Sequence, residues 1–361
     1  MTPLSQPLKF GSLHPEPHLP GKTPTLLQRR WLLTALSFAA VLGVSVYTVA
    51  GWSTHGITFH LPWQAHALAI LALVVEVGAR SVKLTWSARA VRIRLPLLTS
   101  LRTCLAGDLG AAITPARSGA EPSRYLVLAQ AGIPASNALI VLFAELFLEM
   151  LSLGAVVLIV AIAFRHAGFV LGALVGVVGG YAAFVLGIGA IAVVMSRRNV
   201  GDTPPAWARR IGLHEGRWRL VAQWFSHVRT TVDAARDVEI GWAVGAFVMS
   251  VLHVAVRLTV LPALVLTSAS SVALAPLALW PLGLLYGAAV VPAPGGGGAV
   301  ELAFRAALGS TIPAGLFVAA LVWWRFYTFY VYILLGALAA GRTALMAVQK
   351  TEELEEELEK A

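Results

Sequence analysis

The sequence predicts an all-α polytopic membrane protein with about six transmembrane helices and two re-entrant helical hairpins, arranged as two repeats of inverted topology. Three observations predict this class: of the 361 residues 58% are hydrophobic, only 12% are charged, and 33 glycines and 19 prolines are present. A soluble globular chain carries roughly 25% charged residues. Glycine and proline are frequent in membrane helices. An ordinary soluble domain, a collagen and a disordered chain are therefore excluded.

The charge distribution points to lipid rather than nucleic acid as the partner. The net charge is +9 although residues 345–361 form an acidic tail, so the rest of the chain is more basic than this value. The arginines cluster between apolar segments, where the positive-inside bias and anionic headgroups account for them. The single cysteine, Cys104, cannot form an internal disulfide. No metal site, cofactor site or nucleotide-binding P-loop is predicted.

In the first half, residues 31–164 are expected to form one membrane repeat. The spans 31–51 and 64–82 come first, preceded by a basic segment, 1–30, that we expect in the cytoplasm. The second span returns the chain to a basic cytoplasmic segment that includes Arg80 and Lys83. Residues 97–132 are too short and too charged for two lipid-facing helices and flank the helix-breaking string 114–122. They are therefore predicted to form a re-entrant hairpin, followed by a span at 136–164.

In the second half, residues 165–344 are expected to form the inverted repeat. It begins with a span at 169–195 and a basic cytoplasmic loop, 196–239, that we expect to lie against anionic lipid headgroups. A span at 240–266 and a re-entrant hairpin at 272–309, broken by the string 292–298, follow. The last span, 312–340, should end in the cytoplasm, as should the acidic tail. Both termini are thus predicted to be cytoplasmic, in a bacterial inner membrane.

The two helix-breaking strings, 114–122 and 292–298, share a weak sequence similarity. Pro115-Ala116 and Pro292-Ala293 each begin a Pro-Ala-x-x-Gly sequence at the same place in each half. Each is followed by a short helix, a glycine, a proline and a long apolar span. Inverted repeats with broken helices are typical of secondary transporters, whose substrate site lies near the bilayer midplane.

The first string presents candidate phosphate ligands. Arg117, Glu121 and Arg124 lie where the backbone breaks and a helix begins. Two guanidinium groups and a helix N-terminus can together hold a phosphate, which favours Arg117 and Arg124 as its ligands.

The second string presents a backbone that a ligand can approach closely. Gly295, Gly296 and Gly298 have no Cβ, and Glu301 and Arg305 lie just inside the helix that follows. The alternative is a flexible hairpin apex without a ligand, and the sequence leaves both interpretations open.

Glu145 and Glu149 lie one turn apart on the span 136–164. Such a carboxylate pair can serve as general acid and base, as a proton or ion site, or as the partner of inward-facing arginines such as Arg325 and Arg257. Spacing also predicts ion pairs within single helices. The pairs are Glu76 with Arg80, Arg117 with Glu121, His253 with Arg257, and Glu301 with Arg305.

These motifs together resemble a known family. The string 114–124, the pair Glu145 and Glu149, and the late glycine string with Glu301 and Arg325 are similar to the flippase-type transmembrane domain of lysylphosphatidylglycerol synthases. The resemblance extends from the first span to Ala340. It implies translocation of a lipid, such as an aminoacylated phospholipid, a glycolipid or a polyprenyl-phosphate carrier, between leaflets.

The leading hypothesis is therefore a lipid flippase that is not an enzyme and has no catalytic residue. Glu145 and Glu149 would couple protons or ions. Two alternatives stay open at this point: an intramembrane enzyme that acts on a lipid phosphate, and a scaffold for a lipid-modifying partner. The expected substrate-binding residues are Arg117, Glu121, Arg124, Gly295, Gly296, Gly298, Glu301, Arg305 and Arg325.

Overall fold

The computed structural model describes residues 60–114, 117–166, 174–196, 203–210, 238–287 and 294–339, with a few single positions between them. The described residues form helices and their connections, without a strand among them, which confirms the all-α prediction. The predicted span 31–51, most of the basic loop 196–239 and the acidic tail lie outside these residues.

The helices of the first half surround the first breaker string. They are α1 (Trp63–Ala90), α2 (Leu97–Ile113), α3 (Ala120–Gln130) and α4 (Ala135–Ala163). A π-helical turn (Val175–Gly179) then leads into α5 (Gly180–Ser196).

The second half, which begins before α5, contains six further helices among the described residues, most of them shorter. They are α6 (Ala206–Arg210), α7 (Ile240–Leu258), α8 (Val260–Leu266), α9 (Leu274–Gly287), α10 (Ala299–Leu308) and α11 (Ala314–Arg325). A 3₁₀ turn, Pro294–Gly296, precedes α10. Beyond α11 the helix continues through a π-helical turn, Phe326–Tyr330, as far as Ala339.

Three helical segments among the described residues are long and apolar enough to cross a membrane. They are Ala135–Ala163, Ile240–Leu266 and Ala314–Ala339, with 29, 27 and 26 residues. They coincide with the predicted spans 136–164, 240–266 and 312–340. Helix α1 contains the predicted span 64–82 and has 28 residues, but charged side chains interrupt its apolar sequence. The total of six spans and the inverted repeats stay predictions.

Prolines mark where several of these helices begin. The residue directly before each of α1, α2, α4 and α11 has an extended ψ between 137° and 145°. Proline has no N–H to donate and holds φ near −65°, so it loses no hydrogen bond at this position. The four residues are Pro62, Pro96, Pro134 and Pro313.

The segment 97–132 forms a helical hairpin, because α2 and α3 contact each other across the breaker string. Thr114 closes the turn: its Oγ1 donates to the carbonyl oxygen of Gly110 at 2.7 Å and accepts the N–H of Gly119 at 2.8 Å. A Cβ on Gly110 would lie 2.3 Å from both the carbonyl oxygen of Gly119 and Oγ of Ser123. The hairpin therefore requires a residue without a side chain at position 110.

The hairpins are held against the long helices. Helix α1 packs extensively against α7 and also contacts α2 and α4. The helix that ends at Ala339 approaches α2 so closely that a Cβ on Gly336 would lie 2.5 Å from the carbonyl oxygen of Leu105. Helices α9 and α10 contact each other around the second string, and the 3₁₀ turn contacts α2. The tips of the two hairpins are thus neighbours.

The close contact at Gly110 gives a test of the hairpin. We expect Gly110→Ala to lower the free energy of unfolding by about 1–3 kcal/mol, because the added methyl group collides with backbone that cannot move freely. Gly78→Ala is the matched control: this helical glycine on α1 has open space around it. There alanine should raise stability by about 0.5–1 kcal/mol. Unfolding in mixed detergent micelles measures both variants, and equal stability would contradict the packing described.

Candidate functional site

A group of buried charges joins three helices of the first half. Lys83 Nζ on α1 lies 2.5 Å from Oε1 of Glu145 and 2.7 Å from Oε2 of Glu149, both on α4. Arg124 on α3 donates to both carboxylate oxygens of Glu145, at 2.6 and 3.0 Å, and to Glu121 at 3.2 Å. We call these five residues the ion network.

The ion network explains why these charges lie inside the protein. The side chains of Lys83 and Glu145 are fully buried, whereas Glu149 and Glu121 are 26% and 52% exposed. A buried charge is strongly unfavourable unless partners and hydrogen bonds satisfy it. The partners of the glutamates are thus Lys83 and Arg124, and not Arg257 and Arg325 as one sequence interpretation held. Glu121 pairs with Arg124 rather than with Arg117, its predicted partner.

A second charged group connects α1, α2, α7 and the last helix. Arg80 donates to both oxygens of Asp108, at 2.9 and 2.5 Å, and its Nε lies 3.7 Å from Glu76, as the spacing predicted. The hydroxyl of Tyr332 donates to Glu76 at 2.7 Å. Arg257 Nη1 reaches the same carboxylate at 4.0 Å. The charge of Asp108 is therefore already matched within the protein.

A buried ion pair holds the second helix-breaking string in place. Glu301 accepts the N–H of Gly298 at 2.8 Å and Nε of Arg325 at 3.0 Å. Arg325 also donates to the carbonyl oxygen of Gly295 at 3.1 Å. Gly295 has φ +60°, and a Cβ there would lie 2.0 Å from the ring of Phe329. The predicted glycine tip is thus tightly packed rather than flexible.

A partly open cavity lies where the two hairpin tips meet. Asp108 and Arg117 line it from the first hairpin, and Gly295 and Val300 from the second. The surrounding helices supply apolar side chains and two further arginines to the wall. They are Leu284, Leu285, Trp324, Phe329, Arg257 and Arg325. The cavity therefore combines an apolar wall with three guanidinium groups.

Arg117 occupies the tip of the first hairpin in an unusual conformation. Its φ is +60°, a region that residues other than glycine seldom adopt, and its side chain is exposed. Such backbone strain is concentrated at ligand sites and switches. Arg117 makes no hydrogen bond or ion pair with any described residue. Its charge is thus available to a ligand in the cavity.

Arg257 borders the same cavity from α7. Its Nη2 donates to the carbonyl oxygen of Thr328 at 2.7 Å, whereas its Nε is buried without a hydrogen-bond partner among the described residues. His253 was predicted to pair with Arg257. This prediction is wrong, because neither ring nitrogen of His253 has a hydrogen-bond partner in the described part of the chain.

The structure separates the predicted site residues into three places. Arg117, Gly295 and Arg325 line the cavity. Gly296, Gly298, Glu301 and Arg305 lie on the second tip and the helix that follows it. Glu121, Arg124, Glu145 and Glu149 belong to the ion network.

The predicted site residues did not include Lys83, Asp108, Arg257 and Tyr332, although Arg257 was expected to face inward. Arg80 and Lys83 were expected in a cytoplasmic basic segment, but the structure buries both inside α1. One signal was present: Glu76, Arg80 and Lys83 follow one another at four- and three-residue spacing, which places them on one helix face. Polar groups at that spacing inside an apolar helix indicate a buried polar face rather than a membrane edge.

Comparison with known proteins gives one finding. Residues 31–336 match the family model described as "Lysylphosphatidylglycerol synthase TM region", and both hairpins and every residue lining the cavity fall within this range. Neither a search of curated proteins nor a search of solved structures finds a match.

The ion network predicts a large effect of removing its central cation. We expect Lys83→Met to lower the free energy of unfolding by about 3–5 kcal/mol, because Glu145 and Glu149 would keep their charges without that partner. Adding Glu149→Gln should restore part of the loss, since Glu145 retains Arg124. Denaturation in mixed micelles measures this, with Arg94→Met, at an exposed position, as the control. A Lys83→Met protein as stable as the control would show that the network contributes nothing.

Proposed function

We propose, from the premise that this chain belongs to the Lysylphosphatidylglycerol synthase TM region family, that it moves a phosphate-bearing lipid between the two leaflets of a membrane. The candidate lipids are a phospholipid, a glycolipid or a polyprenyl-phosphate carrier. Family membership confirms the resemblance that the sequence motifs predicted. The observation that carries the proposal is the cavity at which both hairpin tips meet, lined by Arg117, Arg257 and Arg325.

The chemistry of the cavity suits a lipid phosphate. A guanidinium group presents a planar fork of donors that matches phosphate oxygens. Arg117 is the proposed first contact, since its donors are not engaged by described residues. Arg325, on α11, is held in place by Glu301 of the second hairpin and contributes a further positive charge. Apolar wall residues such as Leu284 and Leu285 accommodate the glycerol or prenyl part, while the chains stay in the bilayer.

The proposal assigns Arg124 a positioning role. Both terminal nitrogens of Arg124 bind Glu145, so this residue fixes the first hairpin on α4 and thereby places Arg117. Exchange between inward- and outward-open states would come from the two inverted halves moving against each other. The distribution of basic residues supports a bacterial cytoplasmic membrane with both termini in the cytoplasm and the basic loop on anionic headgroups.

Leaflet exchange in proteoliposomes tests the function. Labelled phospholipids and polyprenyl phosphates are followed with the intact protein, with Arg117→Ala and with Arg94→Ala, an exposed arginine outside the cavity. We expect Arg117→Ala to slow exchange at least about tenfold, equivalent to about 1.4 kcal/mol, and Arg94→Ala to leave it unchanged. Both variants should fold, because Arg117 is exposed.

Three results would contradict either the assigned site or the function. Normal exchange by a folded Arg117→Ala protein would remove Arg117 from the site. The absence of exchange for every lipid, together with a chemically altered lipid detected by mass spectrometry, would favour an intramembrane enzyme. Loss of function on deleting residues 211–237, with lipid binding intact, would favour a scaffold.

We extend the proposal to energy coupling through Glu145 and Glu149. Glu149 is the more exposed of the two, and its carboxylate contacts Lys83 at 2.7 Å. A proton taken up by Glu149 would remove the negative charge facing Lys83 and weaken the contact of α4 with α1.

The coupling proposal predicts a selective defect. We expect Glu149→Gln to exchange lipid without a gradient at nearly the normal rate but to lose acceleration by a pH gradient, because glutamine cannot take up the proton. Glu149→Asp, which keeps a carboxylate, is the matched control and should retain part of the response. A Glu149→Gln protein with the full response would exclude this residue from coupling.

A further inference from the structure

We infer that the cavity selects headgroups that present only negative charge and hydrogen-bond acceptors, that is, acidic lipid phosphates without an ammonium group. This inference rests on the proposed function and narrows its substrate class. It assigns Trp324 and Arg257 as the residues that determine specificity.

The first observation is an unused donor in the cavity wall. Trp324 lies on α11, is fully buried and lines the cavity. Its indole Nε1 is buried and has no hydrogen-bond partner among the described residues. An indole N–H can only donate, and a buried donor without an acceptor is unfavourable. A ligand oxygen would satisfy it once neighbouring side chains shift, because the nitrogen presents no accessible surface in this structure.

The second observation is a similar donor on another helix. Arg257 on α7 lines the cavity, and its Nε is buried without a partner among the described residues. The same guanidinium is oriented by the carbonyl of Thr328, to which Nη2 donates at 2.7 Å. Two residues on separate helices that each carry an unsatisfied buried N–H group therefore border one cavity. Both require acceptors, and a phosphate group offers several.

The third observation concerns the carboxylates near the cavity, which are already engaged. Asp108 is the acidic residue that lines the cavity, and both of its oxygens accept hydrogen bonds from Arg80. Glu301, at the second tip, accepts from Gly298 and from Arg325 through its two oxygens. An ammonium group entering the cavity would thus meet three guanidinium groups and no uncommitted carboxylate among the described residues.

Aromatic rings could in principle hold an ammonium group through cation–π contacts. Here arginines lie over two of the three lining rings, those of Phe329 and Tyr332, and the ring of Trp324 packs against Phe304. The guanidinium of Arg325 lies 4.5 Å from the ring centre of Phe329. Those of Arg80 and Arg257 lie 5.3 and 5.1 Å from the centre of Tyr332. These rings stabilise resident cations, which argues against an aromatic cage for a cationic headgroup.

Equilibrium binding to the full chain in detergent tests the inference. The probes are dihexanoyl phosphatidic acid, dihexanoyl phosphatidylethanolamine and inorganic phosphate. We expect phosphatidic acid to bind at least about tenfold more tightly than phosphatidylethanolamine. Inorganic phosphate should compete with phosphatidic acid but bind more weakly, because it lacks the apolar part. Binding of inorganic phosphate as tight as that of phosphatidic acid would identify a site for the free ion and overturn the lipid assignment.

Two variants connect selectivity with the unused donors. Trp324→Phe keeps an aromatic ring and removes the N–H, and we expect it to weaken phosphatidic acid binding about threefold to tenfold. Trp323→Phe is the matched control, since Trp323 lies outside the cavity lining and its ring contacts His66. Arg257→Lys keeps the charge but removes Nε, and serves if Trp324→Phe is unstable. Equal effects of the two tryptophan variants, with Arg257→Lys binding normally, would overturn the inference.

The failure of this inference differs from that of the proposed function. If phosphatidic acid and phosphatidylethanolamine are exchanged equally in proteoliposomes, transport stands and selectivity is wrong. If phosphatidic acid binds selectively but no lipid is exchanged, selectivity stands and transport is wrong.

Discussion

The contact between Lys83 and Glu145 is the constraint on which the first half of the molecule depends. Neither side chain reaches solvent, and a charge buried there is strongly unfavourable without a partner. Because the partners come from α1 and α4, those two helices are fixed relative to each other. Arg124 then joins α3 to the same carboxylate, which sets the position of the first hairpin. The tip that carries Arg117 is thus located by a charge contact in another part of the protein.

Four arginines differ in what they contact: two bind carboxylates, and two border the cavity with unused donors. Arg80 and Arg124 each bind a carboxylate through two nitrogens, so they stabilise the helix arrangement. Arg117 and Arg257 keep donors that no described residue accepts, and both border the cavity. This division supports a binding site at the hairpin tips and separates it from the ion network.

Local rules predicted much of the fold and only part of the site. Breaker strings, prolines and apolar length located both hairpins and three long spans. Spacing within one helix correctly paired Glu76 with Arg80 but misassigned Glu121, because its partner is set by how α3 turns. Lys83 was counted as a surface charge, since charge counting does not distinguish the end of a span from its interior. Partners brought together from distant helices, such as Tyr332 and Glu76, leave no signal in the local sequence.

The π-helical turn at Phe326–Tyr330 also has a consequence for how the chain can vary. A wide turn holds one residue more than an α-helical turn, and each residue rotates a helix by about 100°. Trp324 before the turn and Tyr332 after it both border the cavity, so the extra residue sets their relative orientation there. Deleting a single residue here would rotate the rest of this helix, as far as Ala339, by about 100° and break its contact with α2. The length of this last segment is therefore under tighter constraint than its composition, and related chains should vary here by substitution rather than by deletion.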